Sequence, residues 1–218
     1  MNKKHILIAS VVGALFFGMA SLYAQEEKAI KLPAPKTTGG KPLMQALKER
    51  KSVREFSPKK LSLQVLSNLL WAACGINRPE LGKRTAPSAM NMQEIDIYVA
   101  TAEGLYLFNA DVHDLEVVVS EDIRALTGKQ PFVEGAPVNL IYVADFAKMG
   151  KTSANERDFY AAADTGFISQ NVYSFCASEG LVTVVRGWVD RQALAKVMKL
   201  RENQKIIFAQ TVGYPADQ

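Results

Sequence analysis

The chain is short of the residues from which much enzyme chemistry is built. Of its 218 residues two are cysteine, Cys74 and Cys176, and two are histidine, His5 and His113, with no Cys-x-x-Cys pair anywhere. Zinc fingers and dithiol redox motifs are thereby excluded. Neither Gly-x-Gly-x-x-Gly nor Gly-x-Ser-x-Gly occurs, which argues against a Rossmann dinucleotide domain and an α/β-hydrolase. His113, in Asp111-Val112-His113-Asp114, reads as a solvated loop residue rather than the base of a triad. An excess of charge is also lacking: 26 basic residues face 22 acidic ones, and no basic cluster marks a nucleic-acid binder. What is there is 48% hydrophobic and 22% charged, the composition of a folded globular protein.

Lys3 and Lys4 precede an apolar stretch from Ile6 to Ala20, and Leu22-Tyr23-Ala24 ends on a small residue. That order reads as a secretory signal over residues 1–24, cut after Ala24. The apolar run, about 15 residues, is short of the roughly 20 that a spanning helix needs, and no cysteine follows it to carry a lipid. The expected mature protein is periplasmic or secreted, without a stable membrane anchor. Without Lys3 and Lys4 its basic residues number 24 against 22 acidic. An oxidising compartment raises the pairing of Cys74 with Cys176. Both lie in apolar helical patterns, where a thiol packs as a small core residue, and their spacing fixes no distance, so pairing stays open.

Residues 25–42, rich in Lys, Pro, Thr and Gly, lack periodicity and read as a mobile arm. Residues 43–218 form the expected domain. A short helix covers Leu43 to Glu49, and Ser62 caps a second that presents Leu66, Leu69, Leu70 and Ala73 on one face and closes at Gly75 as a left-handed cap. A loop runs from Ile76 to Pro87. Ile95 to Val99 alternates as a strand, with Leu105 to Phe108 as its hairpin partner after Gly104. Ser120 caps a short helix ending at Gly128, and the apolar run Val138 to Ala144 is a buried central strand. The longest helix runs from about Asn155 to Glu179, carrying the small residues Ala161, Ala162, Ala163 and Gly166, and stops at Gly180. A strand from Leu181 to Val185, a helix capped by Asp190 through Leu200, and a strand from Ile206 to Val212 follow. Without a βαβ repeat, this is an α+β order.

With no side chain obviously poised for catalysis, the chemistry falls to a bound cofactor. Three separated segments suit a phosphorylated, planar one. Arg50-Lys51-Ser52-Val53-Arg54 offers guanidinium and hydroxyl donors to a phosphate, though such runs are commonly solvated. Pro87-Ser88-Ala89-Met90-Asn91-Met92-Gln93 offers Asn91 as donor and acceptor to a polar ring edge, or is a turn capped by Ser88. Thr183-Val184-Val185-Arg186-Gly187 offers apolar cover and a close backbone approach at Gly187, or is simply a strand and turn.

In this order, and with Gly213-Tyr214-Pro215 after the last strand, the segments resemble the FMN-dependent nitroreductase family from about Leu43 to Pro215. Arg84 to Ser88 and Gly104 to Phe108 are more similar to its SagB-like, azoline-forming dehydrogenase branch. The resemblance implies a central, mostly antiparallel sheet flanked by helices in an intertwined homodimer, with FMN at the interface. It places the FMN phosphate on Arg50, Ser52 and Arg54, with Lys51 beside the ring or ribityl chain. Pro87, Ser88 and Asn91 would border the ribityl chain and pyrimidine edge, Val184 and Val185 one ring face, and a backbone N–H near Arg186 or Gly187 would reach flavin N5. Where the family commonly has basic residues after Gly-Tyr-Pro, this sequence has Ala216-Asp217-Gln218, so the phosphate leans on Arg50 and Arg54. Arg186 stands where many relatives have an acid, which makes its side chain a candidate contact to substrate or flavin edge. The implied activity is oxidoreduction of a small molecule or peptide. The competing class is a non-catalytic flavin-binding or interaction protein that keeps the fold.

Overall fold

The computed structural model describes residues 29–216; the signal read at residues 1–24 lies outside the described residues. Strand β1 (Ile30–Lys31) and helices α1 (Leu43–Glu49) and α2 (Leu63–Cys74) come first. The segment expected to be a mobile arm is extended but tied down from residue 30: β1 joins the sheet, Leu32 is buried, and the Lys36 N–H donates to Asn68 Oδ1 at 2.8 Å. Ile30 and Leu32, two large apolar residues in an otherwise polar and Pro-rich stretch, give little sign of this.

In α2 the Ser62 hydroxyl accepts from the Val65 N–H, and Leu66, Leu69, Leu70 and Ala73 are buried, as the 3.6-residue period requires. Gly75 ends the helix in extended conformation (φ −74°, ψ 166°), not as a left-handed cap. A Cβ there would come 2.5 Å from Trp71 Cδ1, so the glycine answers a close approach rather than a special φ. The expected loop beyond it contains a small hairpin, β2 (Ile76–Arg78) with β3 (Lys83–Arg84).

Strands β4 (Ile95–Thr101) and β5 (Gly104–Asn109) form the expected hairpin. A further strand, β6 (Asp114–Val119), pairs with β5 and β1; its acidic start hid it. His113 turns the chain into it at φ 55°. Rather than being solvated, the ring is half-buried: Nε2 lies 2.7 Å from Ser67 Oγ and the ring meets Phe108 edge-on. The helix expected from Ser120 is one 3₁₀ turn, Arg124–Thr127, before α3 (Phe132–Gly135).

Strand β7 (Val138–Asp145) is buried throughout. Helix α4 (Ala154–Glu179) starts at a Ser153–Glu156 capping box and ends at Gly180, left-handed at φ 73°, as a chain reversal requires. After β8 (Val182–Arg186), α5 (Arg191–Val197) begins at an Asp190 cap and stops short of Leu200, and β9 (Gln204–Gly213) closes the sheet. The order is β1-β6-β5-β4-β7-β9-β8, with each adjacent pair antiparallel. One face packs on α2 and α4; the other carries a smaller core with Ile123, Val189 and Leu194. Cys74 and Cys176 are both free and buried. Burial pushes both thiols up, which makes them inert core residues.

Candidate functional site

Strand β8 is a sheet edge, and the Arg-x-Ser-x-Arg segment runs beside it. Ser52 bridges Thr183 in parallel, the Val53 N–H donates to the Thr183 carbonyl at 3.0 Å, and Phe56 bridges Pro215. Tyr173 of α4 locks this seam. Its hydroxyl lies 2.8 Å from Ser52 Oγ and accepts from the Val185 N–H at 3.0 Å, and the Arg50 guanidinium stands 5.3 Å from its ring centroid. Arg50, Lys51 and Arg54 have no ion-pair partner among the described residues. A cavity of about 500 Å³ opens here, lined by Lys51, Val53, Tyr173, Thr183 and Pro215 among others. Tyr173 escaped sequence reading; the available signal was a hydroxyl in the buried stripe of a helix, which needs a partner. Tyr173→Phe removes both hydroxyl contacts and is expected to cost about 1–2 kcal/mol, read as a lower urea midpoint.

The second segment forms a tightly bonded loop under strain. Met90, Asn91 and Gln93 have φ of 51°, 55° and 49°, a region that non-glycine residues enter only when their surroundings force them. Those surroundings are visible. Ser88 precedes a 3₁₀ turn (Ala89–Asn91) without a side-chain cap bond to it; its hydroxyl instead accepts from the Gln93 N–H at 3.0 Å. Gln93 Oε1 accepts from Arg84 Nε at 2.7 Å, and its Nε2 donates to the Gly82 carbonyl and to Asn91 Oδ1. The Ala89 N–H donates to Asp164 Oδ2 of α4 at 2.8 Å. Pro87 and Asn91 are exposed.

One copy of the chain does not bring the two segments together. Asp164 and Tyr173 are nine residues apart on α4, about 13 Å along the axis and on opposite sides of it. The outer face of α4 exposes Phe159, Ala162 and Ala163 before Asp164 and Gly166 and Phe167 after it; Phe159 is 69% exposed and Gly166 has no neighbouring atom within 4 Å of a built Cβ.

The third segment divides. Gly187 is exposed and Val185 half-buried, but Val184 is buried in the protein's own packing, so its side chain presents no face to a ring. Arg186 departs furthest from expectation. Its side chain turns into the sheet, 4% exposed, and donates from Nε to Thr211 Oγ1 at 2.9 Å, from Nη1 to the Thr127 carbonyl at 2.8 Å and from Nη2 to Asn139 Oδ1 at 2.9 Å. Burial lowers its pKa to about 10, which still leaves it charged near neutrality. With every nitrogen hydrogen-bonded inside, the Arg186 side chain is committed to the protein's own interior.

A model of the nitroreductase family matches residues 47–214. A protein of Methanocaldococcus jannaschii named as a nitroreductase is 31% identical over 170 residues, spanning 73% of this chain and 85% of its own length. A Bacillus subtilis protein named FMN reductase (NAD(P)H) is 25% identical over 191 residues, spanning 81% of this chain and 67% of its own. Among solved structures, one from Ralstonia eutropha described as a nitroreductase superposes with a TM-score of 0.84 at 42% identity, covering 99% of this chain and 97% of that one.

Proposed function

Because this chain belongs to the nitroreductase family, we propose that it is an FMN-dependent oxidoreductase, exported to the periplasm or secreted, acting as a homodimer on a small molecule or peptide. The observation that carries this reading is the run Arg50-Lys51-Ser52-Val53-Arg54 beside the β8 edge, whose three cations make no ion pair among the described residues. Their chemistry fits a phosphate dianion, which takes guanidinium and hydroxyl donors together. Val185 and Gly187 on the same edge suit a planar ring, and the exposed Asn91 amide suits the pyrimidine end. Bound FMN would supply the electron transfer; the chain's own groups bind it, orient it and shelter it from water.

The separation of the two segments on α4 is the reason for a dimer. If two copies pair about a two-fold axis along the exposed stripe of α4, whose middle lies near Asp164, the loop that Asp164 holds is presented to the partner copy. The loop bearing Asn91 then completes its partner's site. NAD(P)H is scarce outside the cytoplasm. An exported enzyme is therefore better served by the SagB-like direction, in which a substrate is dehydrogenated and its electrons pass on to oxygen or a quinone, than by nitro or quinone reduction.

The test is a visible spectrum of the purified mature protein, with a yellow, reducible chromophore at one per chain expected and a colourless protein that takes up no added FMN counting against it. Within that frame Arg50→Ala is expected to weaken FMN ten- to a hundredfold, since a charge-assisted phosphate bond contributes about 1.5–3 kcal/mol. Equal retention of flavin by variant and parent after dialysis would remove Arg50 from the site.

A further inference from the structure

Glu94 leads from the strained loop into β4, and it is fully buried. Neither of its carboxyl oxygens has a hydrogen-bond partner among the described residues. Beside it stands the carboxyl of Asp164, 2% exposed, whose Oδ2 holds the Ala89 N–H. Two ionised carboxylates offer acceptors only and repel each other across a medium of low dielectric. One proton placed between them makes one acid a donor, so that both the charge and the orphaned oxygen are answered.

No nearby cation does this instead. Lys148, from the 3₁₀ turn after β7, is bound to Asp96 Oδ1 at 2.6 Å. Arg84 of β3 is engaged by Gln93 Oε1 and the Cys74 carbonyl. The Cys74 thiol at the end of α2 is kept neutral by burial.

We propose that Glu94 is a positioning residue that holds one proton in common with Asp164, and that this proton keeps the Ser88–Gln93 loop, Asn91 included, in its left-handed shape. Burial first, and the Asp164 charge after it, push the Glu94 carboxyl up to about 7. The shared proton is therefore lost as the solution passes neutrality. A second negative charge then sits against Asp164, weakening its hold on the Ala89 N–H, and the loop loosens. The importance of the loop for flavin rests on the function proposed above; the shared proton does not.

The test begins with apoprotein melts of the parent and Glu94→Gln from pH 4.5 to 8.5. The folded pKa lies above the unfolded one, so between about 4.5 and 7 the folded chain keeps a proton that the unfolded chain has lost, and stability falls as pH rises through that window. A glutamine amide is neutral at every pH and donates to Asp164 as the protonated acid does. The variant's Tm is expected to equal the parent's near pH 5 and to exceed it by roughly 5 °C at pH 8. Asp164→Asn, which keeps an acceptor for Ala89 and offers Glu94 a donor, is expected to abolish most of the parent's loss between pH 5 and 8. Amide exchange at residues 88–93, corrected for its intrinsic pH dependence, is expected to speed up above pH 7 in the parent and not in Glu94→Gln. Parallel melting curves for parent and Glu94→Gln would overturn the shared proton, and separated curves with unchanged exchange in the loop would overturn its control of the loop. A failure to bind FMN alongside the expected melts and exchange would sink the flavin reading and leave the proton pair standing.

Discussion

Arg186→Met is expected to lower stability by about 3 kcal/mol, near the upper end of the usual range for a single substitution. The guanidinium ties three parts of the chain: the Thr127 carbonyl on the turn before α3, Asn139 on β7 and Thr211 on β9. Asn139 and Thr211 are themselves joined at 2.7 Å, and Asn139 Nδ2 donates to the Val133 carbonyl at 2.8 Å, so the arginine is one member of a buried network. Methionine nearly fills the space and removes the cost of burying a charge. It also leaves acceptors that water cannot reach, at about 1–3 kcal/mol each. A fall in Tm of roughly 6–12 °C should follow for a domain of this size. Gly128 belongs to the same arrangement, since a Cβ on it would run into Arg186 Nη1. A Met variant that melts with the parent would show that the network holds nothing. A shifted flavin potential at unchanged stability would return the side chain to the cofactor.

On the proposed homodimer with FMN at its interface, Gly166→Leu is expected to convert dimer to monomer and to release FMN with it. Helices that meet through small residues leave no room for a branched side chain; overpacking costs about 1–3 kcal/mol per site and is felt twice in a two-fold interface. The dimer dissociation constant should rise by roughly thirtyfold to ten-thousandfold. The lone chain should not suffer: nothing lies within 4 Å of the added Cβ, and leucine is the better helix former by about 0.8 kcal/mol. Sedimentation and flavin retention measured on one sample separate the possibilities. A flavin-loaded monomer would refute the shared site, and an unaltered dimer would move the interface away from this stripe.

Elements governed by short-range pattern were legible in the sequence. Ser62 with Leu66, Leu69, Leu70 and Ala73 specified α2, and the unbroken apolar run from Val138 placed β7 in the centre, because periodicity and burial are local properties. Strand β6 was not legible, since Asp114 and Glu116 break the alternation and its place is fixed by pairing with β5 and β1. At the site, residue types were readable and directions were not. A cation in an apolar strand looks destined for a surface; Arg186 turns inward because Thr127, Asn139 and Thr211, from three distant stretches, supply acceptors together. Asp164, Tyr173 and Glu94 matter through partners 75, 121 and 70 residues away, and no window along the chain contains both members of any such pair.

The tethering of residues 30–32 bears on how much of the sheet's edge is left open. An exposed strand edge is a row of free N–H and C=O groups that invites the next molecule to continue the sheet. Here β6, with Val117-Val118-Val119 at its end, would be such a template on one rim and β8, with Val184-Val185, on the other. Ile30 and Lys31 pair with the start of β6, at Leu115 and Asp114, and Ser52 and Val53 lie against Thr183 of β8. Part of each edge is thus covered by a segment that precedes in the chain the strand it shields. On a chain emerging from its N-terminus, each guard is available before the edge it protects has formed.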